Sequence, residues 1–257
     1  MDNFLYKKRI GVTALLAQMS EFKYKKHAHK EYALGVTLDG IQHYTLDGDQ
    51  YLSYPNNVMF FNPEQIHDGS SFDKKDLKYT MIYLEREHIL GNDNIPQNVI
   101  FNKPISNDQN LKNKITHLSN AILTNQEDAY VLEQLLQVND ALLNNDINVA
   151  PKDNRLINMA KNIIESHLFD TLNVEMISLE LYMTQYQFIR YFKKYTGFTP
   201  YQYYLNRKVE QAKLNLEITK DIYAAVTNCG FVDLSHLNKN FKKIYGITAF
   251  EYLNQLI

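Results

Sequence analysis

A short motif, Phe-Lys-Lys-x-x-Gly-x-Thr, occurs twice in the chain, beginning at Phe192 and again at Phe241. Each copy closes a segment rich in amide, hydroxyl and basic side chains. Amide and guanidinium groups can bridge base edges in a major groove, whereas lysines suit phosphate oxygens. The residue types therefore predict contact with nucleic acid, made twice. The candidate residues are Thr184, Gln185, Tyr186, Gln187, Arg190, Lys193 and Lys194 in the first copy, and Ser235, His236, Asn238, Lys239, Lys242 and Lys243 in the second.

The repeat also preserves the positions that must hold each predicted helix in place. A side-chain oxygen stands where an N-cap accepts an orphan backbone N–H, and a glycine stands where each helix must stop. A solvated surface is the commoner explanation for lysines on a single helix, but it does not explain a core and a basic face repeated together. The matched pairs, 49 residues apart, are Thr184 and Asp233, Phe188 and Leu237, Phe192 and Phe241, Gly197 and Gly246, and Tyr203 and Tyr252.

A second group of residues near the N-terminus could bind a metal or a small molecule. His27, His29 and Glu31 share one strand parity and would project to the same face of a strand. With His67 they could complete a metal site, because imidazole and carboxylate are common ligands of divalent metals. The other interpretation is that they form the polar lining of a ligand pocket or are hydrogen-bonded structural histidines.

Composition limits the classes of protein that these residues can belong to. The chain has 257 residues, 45% of them apolar, and a single cysteine, Cys229, so no disulfide forms within it. No stretch reaches the ~18 apolar residues of a membrane span, and no signal peptide is evident, which predicts a soluble, cytoplasmic protein without membrane association. Residues 1–151 carry 14 basic against 19 acidic residues, whereas residues 152–257 carry 13 against 10. The basic end is therefore the end with the repeat.

The elements that position these residues change in type along the chain. Between Ile10 and Leu84, short β-branched and aromatic runs alternate with turns, a pattern typical of antiparallel strands in a small barrel or sandwich. Asp39-Gly40 and Asp47-Gly48 are predicted as hairpin turns. Apolar residues at helical spacing then predict a helical hairpin at about 110–143. Its two stripes are Leu111, Ile115, Leu118 and Ile122, and Leu132, Leu135, Leu136, Leu142 and Leu143.

The polar segment 144–154 follows, and Pro151 within it stops helix continuation, which predicts a linker. Everything after Arg155 has the pattern of short helices separated by turns, as in helix-turn-helix units. The predicted helices span roughly 155–167, 174–181, 185–195, 200–217, 220–228, 234–244 and 248–256.

Residues 155–257 resemble the DNA-binding half of the AraC/XylS transcription regulators, in which a long helix joins two helix-turn-helix units. The stretch MTQYQFIRYFKKYTGFTPYQYYLNRKVEQAKLNL is similar to the first reading helix, its turn and the connecting helix. The stretch GFVDLSHLNKNFKKIYGITAFEYL is similar to the second unit. In the connecting helix, Lys208, Val209 and Ala212 occupy the usual Arg-Leu-x-x-Ala positions. The resemblance implies that helices 185–195 and 234–244 enter two successive major-groove segments of double-stranded promoter DNA.

Several positions depart from the family pattern. Tyr182 stands in the first turn, where glycine is frequent. In the second unit Ala225-Val226 replaces the usual Ile-Ala pair, Leu237 an aromatic residue and Ala249 a proline. None of these places a charge in a core. The second unit is the less typical of the two. We expect its helix 234–244 to contribute more to DNA affinity than to the choice of DNA sequence.

Residues 27–71 are similar to the cupin-like sensory domain attached to many such regulators. The matching features are a His-x-His-x-Glu-Tyr-x-x-Gly opening, paired turn glycines and an Asn-Pro-x-x-x-His-Asp-Gly close. The resemblance implies a β-barrel whose interior holds an unidentified small-molecule effector, with no metal or other cofactor assigned. The candidate effector contacts are His27, His29, Glu31, Tyr32, Asn62 and His67.

The predicted fold class is α+β with two domains. Residues 1–147 are expected to form a cupin-like antiparallel β-barrel with a helical hairpin, and residues 152–257 an all-α, seven-helix, double helix-turn-helix domain. The predicted function is sequence-specific, effector-responsive transcription regulation, most simply activation with RNA polymerase as partner, by a homodimer formed through helices at 110–143 and without enzymatic activity. Two alternatives stay open: a metal-dependent cupin enzyme fused to a DNA-binding module, and an effector-independent activator whose barrel is only a dimerisation scaffold.

Overall fold

The structure, a computed structural model, describes residues 2–89, 99–142, 147–149 and 154–256. The chain divides into two compact units at the boundary between residues 150 and 151. Residues 90–98 and most of the predicted linker 144–154 lie outside the described residues. Within that segment, however, Ile147–Val149 is a strand that pairs with Val99–Phe101, so these three residues belong to the sheet structure of the first unit.

The first unit consists of antiparallel strands packed against two helices, which confirms the predicted fold class. In the described ranges, one sheet has the order β1-β2-β9-β4-β7-β11, a second has β3-β8-β5-β6, and β10 pairs with β12. The strands are β1 (Asn3–Arg9), β2 (Val12–Met19), β3 (Lys23–His27), β4 (Tyr32–Asp39), β5 (Gln42–Leu46), β6 (Asp49–Ser53), β7 (Val58–Phe61), β8 (His67–Ser71), β9 (Leu77–Leu84), β10 (Val99–Phe101), β11 (Ile105–Ser106) and β12 (Ile147–Val149).

Strand β1 was not predicted, since strands were expected only from Ile10 onwards. Three consecutive basic residues at its end hide the alternation of inward and outward positions, although Phe4 and Tyr6 are buried. The strand joins β2 through Ile10 and Gly11, whose φ angles of 44° and 82° are both positive. Positive φ at both central residues is the geometry of a two-residue hairpin turn whose twist suits its flanking strands.

The two predicted hairpin turns have different outcomes. Asp47-Gly48 joins the paired strands β5 and β6, as expected, with φ angles of 51° and 106°. Asp39-Gly40 instead carries the chain from β4 in one sheet to β5 in the other, so the prediction of a hairpin there was wrong. A Cβ at residue 40 would lie 2.1 Å from the carbonyl oxygen of Asp76, so glycine is required by close backbone approach.

The predicted helical hairpin is present as α1 (Gln109–Leu123) and α2 (Asp128–Leu142). Helix α1 buries its predicted stripe against the larger sheet. The predicted stripe of α2 was partly wrong, because Leu132 and Leu136 are 49% and 55% exposed. Leu143 lies outside the described residues. The buried apolar residues of α2 are Val131, Leu135, Val138, Ala141 and Leu142.

The second unit is all helical, and its described part contains the seven predicted helices with ends shifted by two residues at most. None of the helices that the structure describes is long and apolar enough to cross a membrane. The helices are α3 (Arg155–Ser166), α4 (Val174–Glu180), α5 (Gln185–Thr196), α6 (Pro200–Thr219), α7 (Ile222–Asn228), α8 (Leu234–Tyr245) and α9 (Ala249–Leu256).

The duplication seen in the sequence is a duplication of helix pairs. Helices α4 and α5 form the first helix-turn-helix unit, α7 and α8 form the second, and the long α6 connects them. The second turn is one residue longer, since α4 and α7 are offset by 48 residues and α5 and α8 by 49. Both turns contain a residue in the left-handed region, Tyr182 with φ 55° in the first and Gly230 with φ 64° in the second.

Candidate DNA-binding helices and effector site

Helix α5 begins at a capping box, of which the sequence had indicated only the cap. The hydroxyl of Thr184 accepts from the backbone N–H of Gln187 at 3.2 Å, and the side-chain oxygen of Gln187 accepts from the backbone N–H of Thr184 at 2.9 Å. These reciprocal bonds satisfy two donors that the helix start would otherwise leave unpaired. The amide oxygen of Gln187 is therefore used by the helix itself, and base contact through it requires the cap to open.

The side of α5 away from its core carries the other predicted residues. Phe188 and Phe192 are fully buried, with ring centroids 5.7 Å apart. The Arg190 guanidinium lies over the Tyr186 ring, 5.5 Å from the centroid, in a cation–π contact that orients it while leaving it exposed. One open depression is bordered by Tyr186, Gln187, Arg190, Lys193 and Lys194 together with Tyr182, Met183 and Tyr191.

Helix α8 presents fewer of its predicted residues to solvent. Its N-cap, Asp233, accepts from the backbone N–H of His236 at 2.6 Å, as the sequence predicted. The His236 ring is half-buried and meets Phe231 edge-on, with centroids 5.4 Å apart. Asn238 and Lys243 are also half-buried, because Asn238 accepts from the backbone N–H of Phe250 and Lys243 donates to Asn240. The exposed members of the predicted set are Ser235, Lys239 and Lys242.

Each lysine pair stands in the last turn of its helix, and two residues separate it from the glycine that ends the helix. Gly197 and Gly246 have φ angles of 73° and 79°. Their backbone N–H groups donate to the carbonyl oxygens of Lys193 and Lys242 at 2.9 and 3.0 Å. Left-handed glycines end helices in this way because they avoid a Cβ clash, and cations are favourable near the negative end of the helix dipole. The predicted stops are confirmed.

A buried lysine fixes the turn of the second unit, a role that the sequence had not indicated. Lys208 is 6% exposed, and its amine donates to the carbonyl of Gly230 at 2.6 Å and to the Tyr204 hydroxyl at 2.9 Å. A Cβ at residue 230 would lie 2.6 Å from the carbonyl oxygen of Phe169. Lys208 therefore ties the connecting helix to a turn that has no room for a side chain.

The repeated tyrosines have equivalent surroundings in the two units. Tyr203 packs on Phe192 and donates to Glu165 at 2.5 Å, while Tyr252 packs on Phe241 and donates to Glu217 at 2.6 Å. Both tyrosines are fully or almost fully buried. Each hydroxyl thus gains a charge-assisted hydrogen bond within its core, and such bonds are stronger than neutral ones. Each reading helix is held by the same aromatic packing and the same kind of hydrogen bond.

In the first unit, the structure brings three of the predicted effector residues together. His27, His29 and His67 are each at least 93% buried. Their ring centroids are 4.3 Å apart for His27 and His67, 4.9 Å for His29 and His67, and 6.2 Å for His27 and His29. Aromatic rings adjoin the cluster, since Phe61 lies 4.4 Å from His67 and Tyr83 lies 5.4 Å from His29.

The hydrogen bonds of the cluster fix which ring nitrogen carries the proton. Each Nδ1 lies 2.7–2.8 Å from a backbone carbonyl oxygen, that of Lys25 for His27, Glu31 for His29 and Gln65 for His67. A carbonyl only accepts, so Nδ1 donates and Nε2 of a neutral ring keeps a lone pair. Burial, and then the charge of His29, lowers the pKa of His27 to about 4. Burial also lowers the pKa of His67 well below its ordinary value, with His27 and His29 adding to the effect.

Tyr32 and Asn62 are tied to the protein backbone. The Tyr32 hydroxyl donates to the carbonyl of Val99 at 2.7 Å, and its ring belongs to the core cluster that includes the two helices. The Asn62 amide donates to the carbonyl of Phe101 and accepts from the backbone N–H of Phe101, at 3.0 and 2.9 Å. Both residues hold β10 in place, and Glu31 is half-buried at the start of β4. Tyr32 and Asn62 therefore hydrogen-bond to β10, whereas Glu31 adjoins the histidine cluster through its backbone carbonyl, which accepts from Nδ1 of His29.

The histidine cluster fits a metal ion only in part. Zinc–nitrogen bonds of roughly 2.0–2.1 Å would bring the centroids of three coordinating imidazoles to about 5 Å from one another. Only His29 and His67, 4.9 Å apart, meet that spacing, since His27 lies 4.3 Å from His67 and 6.2 Å from His29. The Nδ1 bonds to carbonyl groups are of the kind that orients histidine ligands. Metal binding would thus require the His27 and His29 rings to approach each other.

Comparison with known families identifies both units. The AraC-like ligand binding domain matches residues 9–138, which is half of the chain, and the helix-turn-helix domain matches residues 177–255. The chain belongs to the AraC family of transcriptional regulators. As an AraC-family regulator, it joins a DNA-binding domain with two helix-turn-helix units to an N-terminal ligand-binding domain, as its sequence predicted.

Curated relatives match this AraC-family regulator along most of its length. The uncharacterized HTH-type transcriptional regulator YbfI of Bacillus subtilis is 25% identical over 227 residues, covering 84% of this chain and 82% of YbfI. The arabinose operon regulatory protein of Salmonella typhimurium is 24% identical, covering 87% and 83% of the two chains. The HTH-type transcriptional activator RhaS of Mannheimia succiniciproducens is 25% identical, covering 89% and 88%.

Solved structures share the fold. ToxT from Vibrio cholerae O395 superposes with a TM-score of 0.61 at 13% identity, covering 96% of this chain and 99% of ToxT. Wild-type ToxT of strain SCE256, solved with a bound unsaturated fatty acid, also has a TM-score of 0.61 at 13% identity, covering 100% and 97%. At this identity the likeness establishes the architecture of the AraC-family regulator and leaves its ligand to be argued from its own residues.

Proposed function

We propose that this AraC-family regulator is an effector-responsive activator that binds promoter DNA through α5 and α8. The observation that carries the proposal is the duplicated arrangement of these helices. Each starts at a side-chain cap, buries an apolar pair, and ends at a left-handed glycine preceded by two lysines. Helices repeated in this way can enter successive major-groove segments on one face of the DNA. The proposed contacts are the polar and basic residues predicted from the sequence.

The two helices are proposed to divide the work of binding. Gln185 and Arg190 on α5 are exposed and carry groups that can bridge base edges. On α8, two of the polar side chains are half-buried in contacts within the unit, while Lys239 and Lys242 remain exposed. Lysines on phosphates add affinity with little dependence on sequence. We therefore assign base selection mainly to α5 and affinity mainly to α8.

The histidine cluster is the proposed centre of effector binding. The buried imidazoles of His27 and His67 each donate through Nδ1 to a backbone carbonyl, so Nε2 is the ring nitrogen whose lone pair can accept from a ligand. With His27 and His67 held neutral by their lowered pKa, these nitrogens accept hydrogen bonds. A ligand that presents hydroxyl or ammonium donors is favoured there, and a carboxylate is disfavoured. We propose an effector rich in hydrogen-bond donors, with Glu31, Tyr32 and Asn62 as further candidate contacts.

A homodimer is proposed to form through α2. Leu132 and Leu136 are one helical turn apart and about half exposed, while Val131, Leu135, Val138, Ala141 and Leu142 are buried. Leucines spaced four apart on an exposed helix face can pack against the same face of a second copy.

The proposal also places the protein in the cytoplasm, with RNA polymerase as its partner and with no catalytic reaction. Its domains are proposed to span residues 1–147 and 152–257. The names of the curated relatives, all regulators, support the absence of catalysis.

The experiment that tests the proposal is selection of bound sequences from random DNA by the purified protein, with and without a cell-metabolite extract. A defined pair of half-sites in adjacent major-groove segments, bound more weakly as salt increases, is the expected result. A change of affinity with extract supports an effector, and no change favours the barrel as a dimerisation scaffold only. Sequence-indifferent binding that ignores salt would contradict the proposal.

The histidine cluster also supports one alternative, a metal-dependent cupin enzyme carrying a DNA-binding module. Elemental analysis of the purified protein decides between the two. Iron, manganese or zinc at one equivalent per chain, lost from both His27→Ala and His67→Ala, would favour the enzyme. Metal-free protein that still changes its DNA affinity with extract favours a regulator with a small-molecule effector.

A further inference from the structure

Tyr182 is held in a backbone conformation that its side chain makes costly. It lies in the turn between α4 and α5 with φ 55°, in the left-handed region. Its counterpart in the second unit is Gly230, with φ 64°. Glycine adopts this region without a Cβ clash, whereas other L-residues are strained there. Nevertheless the position carries one of the largest side chains.

The folded protein gains no packing from that side chain. Tyr182 is 98% exposed, the largest exposure among the big apolar and aromatic residues of the described chain. Glycine would fit the turn better and would leave no exposed ring. The strain and the exposed ring are explained if Tyr182 contacts something outside the folded chain.

The surroundings of Tyr182 indicate the kind of partner. Together with Tyr186 it borders the open depression on α5, whose charged lining residues are Arg190, Lys193 and Lys194. All three of these residues are cations, so the depression suits a polyanion. Tyr182 also stands two residues before the N-cap of α5. The N-terminal end of a recognition helix is the end that contacts the DNA.

We propose that Tyr182 contacts the sugar-phosphate backbone of DNA beside the groove that α5 enters. The ring packs against a deoxyribose, and the hydroxyl donates to a phosphate oxygen, as tyrosine hydroxyls do in protein–DNA complexes. The contact positions α5 in its groove and carries no base preference of its own. This inference rests on the proposed function, since it assumes that α5 binds DNA.

The test is Tyr182→Gly in the full-length chain, with thermal unfolding and DNA affinity measured on the same preparation. Removal of the left-handed tyrosine should leave the melting temperature unchanged or raise it by about 2–4 °C. Affinity for a selected DNA site should fall about fivefold or more, because a hydrogen bond to a charged phosphate oxygen is lost together with the ring contact. The slope of log affinity against log salt should not change, because no charge is removed. Tyr182→Phe separates the hydroxyl from the ring and should show a smaller loss.

Tyr54→Ala is the control, because Tyr54 is another exposed tyrosine but belongs to the first unit. It should bind DNA like the unsubstituted protein. Unchanged DNA affinity of Tyr182→Gly would overturn the inference and leave the exposed ring to a protein partner. A fall in melting temperature together with the fall in affinity would overturn it too, by showing a structural role. If the unsubstituted protein itself selects no DNA site, the proposed function fails as a whole.

Discussion

Arg190 on α5 and Lys242 on α8 are exposed basic residues, and their surroundings predict different effects on DNA binding. Arg190 lies on the exposed face of α5 with its guanidinium over the Tyr186 ring, which limits its orientations. Lys242 stands in the last turn of α8, where a flexible amine reaches phosphate oxygens. A planar, oriented guanidinium can select guanine, whereas a lysine amine follows the backbone of any sequence.

Arg190→Ala is therefore expected to cost about 1–3 kcal/mol of binding free energy on the selected site and to relax the preference at one base pair. Lys242→Ala should weaken all sequences alike and reduce the salt slope by about one. Competition titrations on the selected site and on single-base variants, at several salt concentrations, measure both effects. Equal, sequence-independent losses for the two substitutions would contradict the division of labour between α5 and α8.

The buried histidines predict how the stability of the first unit depends on pH. The folded-state pKa of His27 is about 4, below its unfolded value, because burial disfavours the charged ring. When the pKa of a group is lower in the folded state, the unfolded state binds more protons than the folded state between the two pKa values. Stability is therefore lost as pH falls below the unfolded-state pKa of roughly 6.5. The free energy of unfolding should decline between about pH 6.5 and pH 4.

Denaturant unfolding of the first unit at several pH values measures this decline, and His27→Gln should flatten it. His117→Gln, at an exposed position of α1, is the matched control for the loss of an imidazole from the first unit. A profile of the His27→Gln protein that still follows the unsubstituted one would show that His27 is not the titrating group.

At the level of elements, the helices of the second unit were predictable and several strands of the first were not. The ends of α5 and α8 can be predicted from the sequence, because each has a capping side chain at its start and a glycine at its end. The strand β1 ends in three basic residues, and its inward positions show only in the three-dimensional pairing with β2. Strand β10 pairs with β12, which is distant from it in sequence, so the local sequence pattern predicts neither strand. The buried face of α2 was predicted only in part for a related reason, since a stripe made of leucines does not indicate which of them are buried.

The exposed leucines of α2 lead to a prediction about association. Leu132→Glu combined with Leu136→Glu should convert a dimer to monomers, because a charge would be buried between the two α2 faces. Sedimentation velocity across a range of concentrations measures the change, and circular dichroism should show an unchanged fold since both residues are exposed. Leu179→Glu is the control, because Leu179 is an exposed leucine on α4 and should leave association intact. A double variant that still sediments as a dimer would place the interface elsewhere.

At the level of the whole molecule, the sequence predicted the two-part organisation and the positions of α5 and α8 better than the arrangement of the candidate effector residues. Duplication places physically equivalent residues at a fixed offset, so chain order alone identifies both helices. The candidate effector residues lie in or beside different strands, and only the folded chain shows that His67 joins His27 and His29 while Tyr32 and Asn62 bond to β10. The sequence also did not show which predicted DNA contacts are engaged within the protein. The capping bond of Gln187 and the partial burial of His236 depend on side-chain geometry.

The final prediction concerns coupling between the two units. If a donor-rich effector changes DNA affinity by some factor, the promoter must change effector affinity by the same factor, because both report one coupling free energy. Isothermal titration of the active compound into free protein and into the protein–DNA complex should therefore give affinities that differ by the factor seen in DNA-binding assays. His29→Ala should lower effector affinity in both titrations while leaving DNA affinity without effector unchanged. Effector affinities that are equal with and without DNA would mean that the barrel binds its ligand independently and does not regulate α5 and α8.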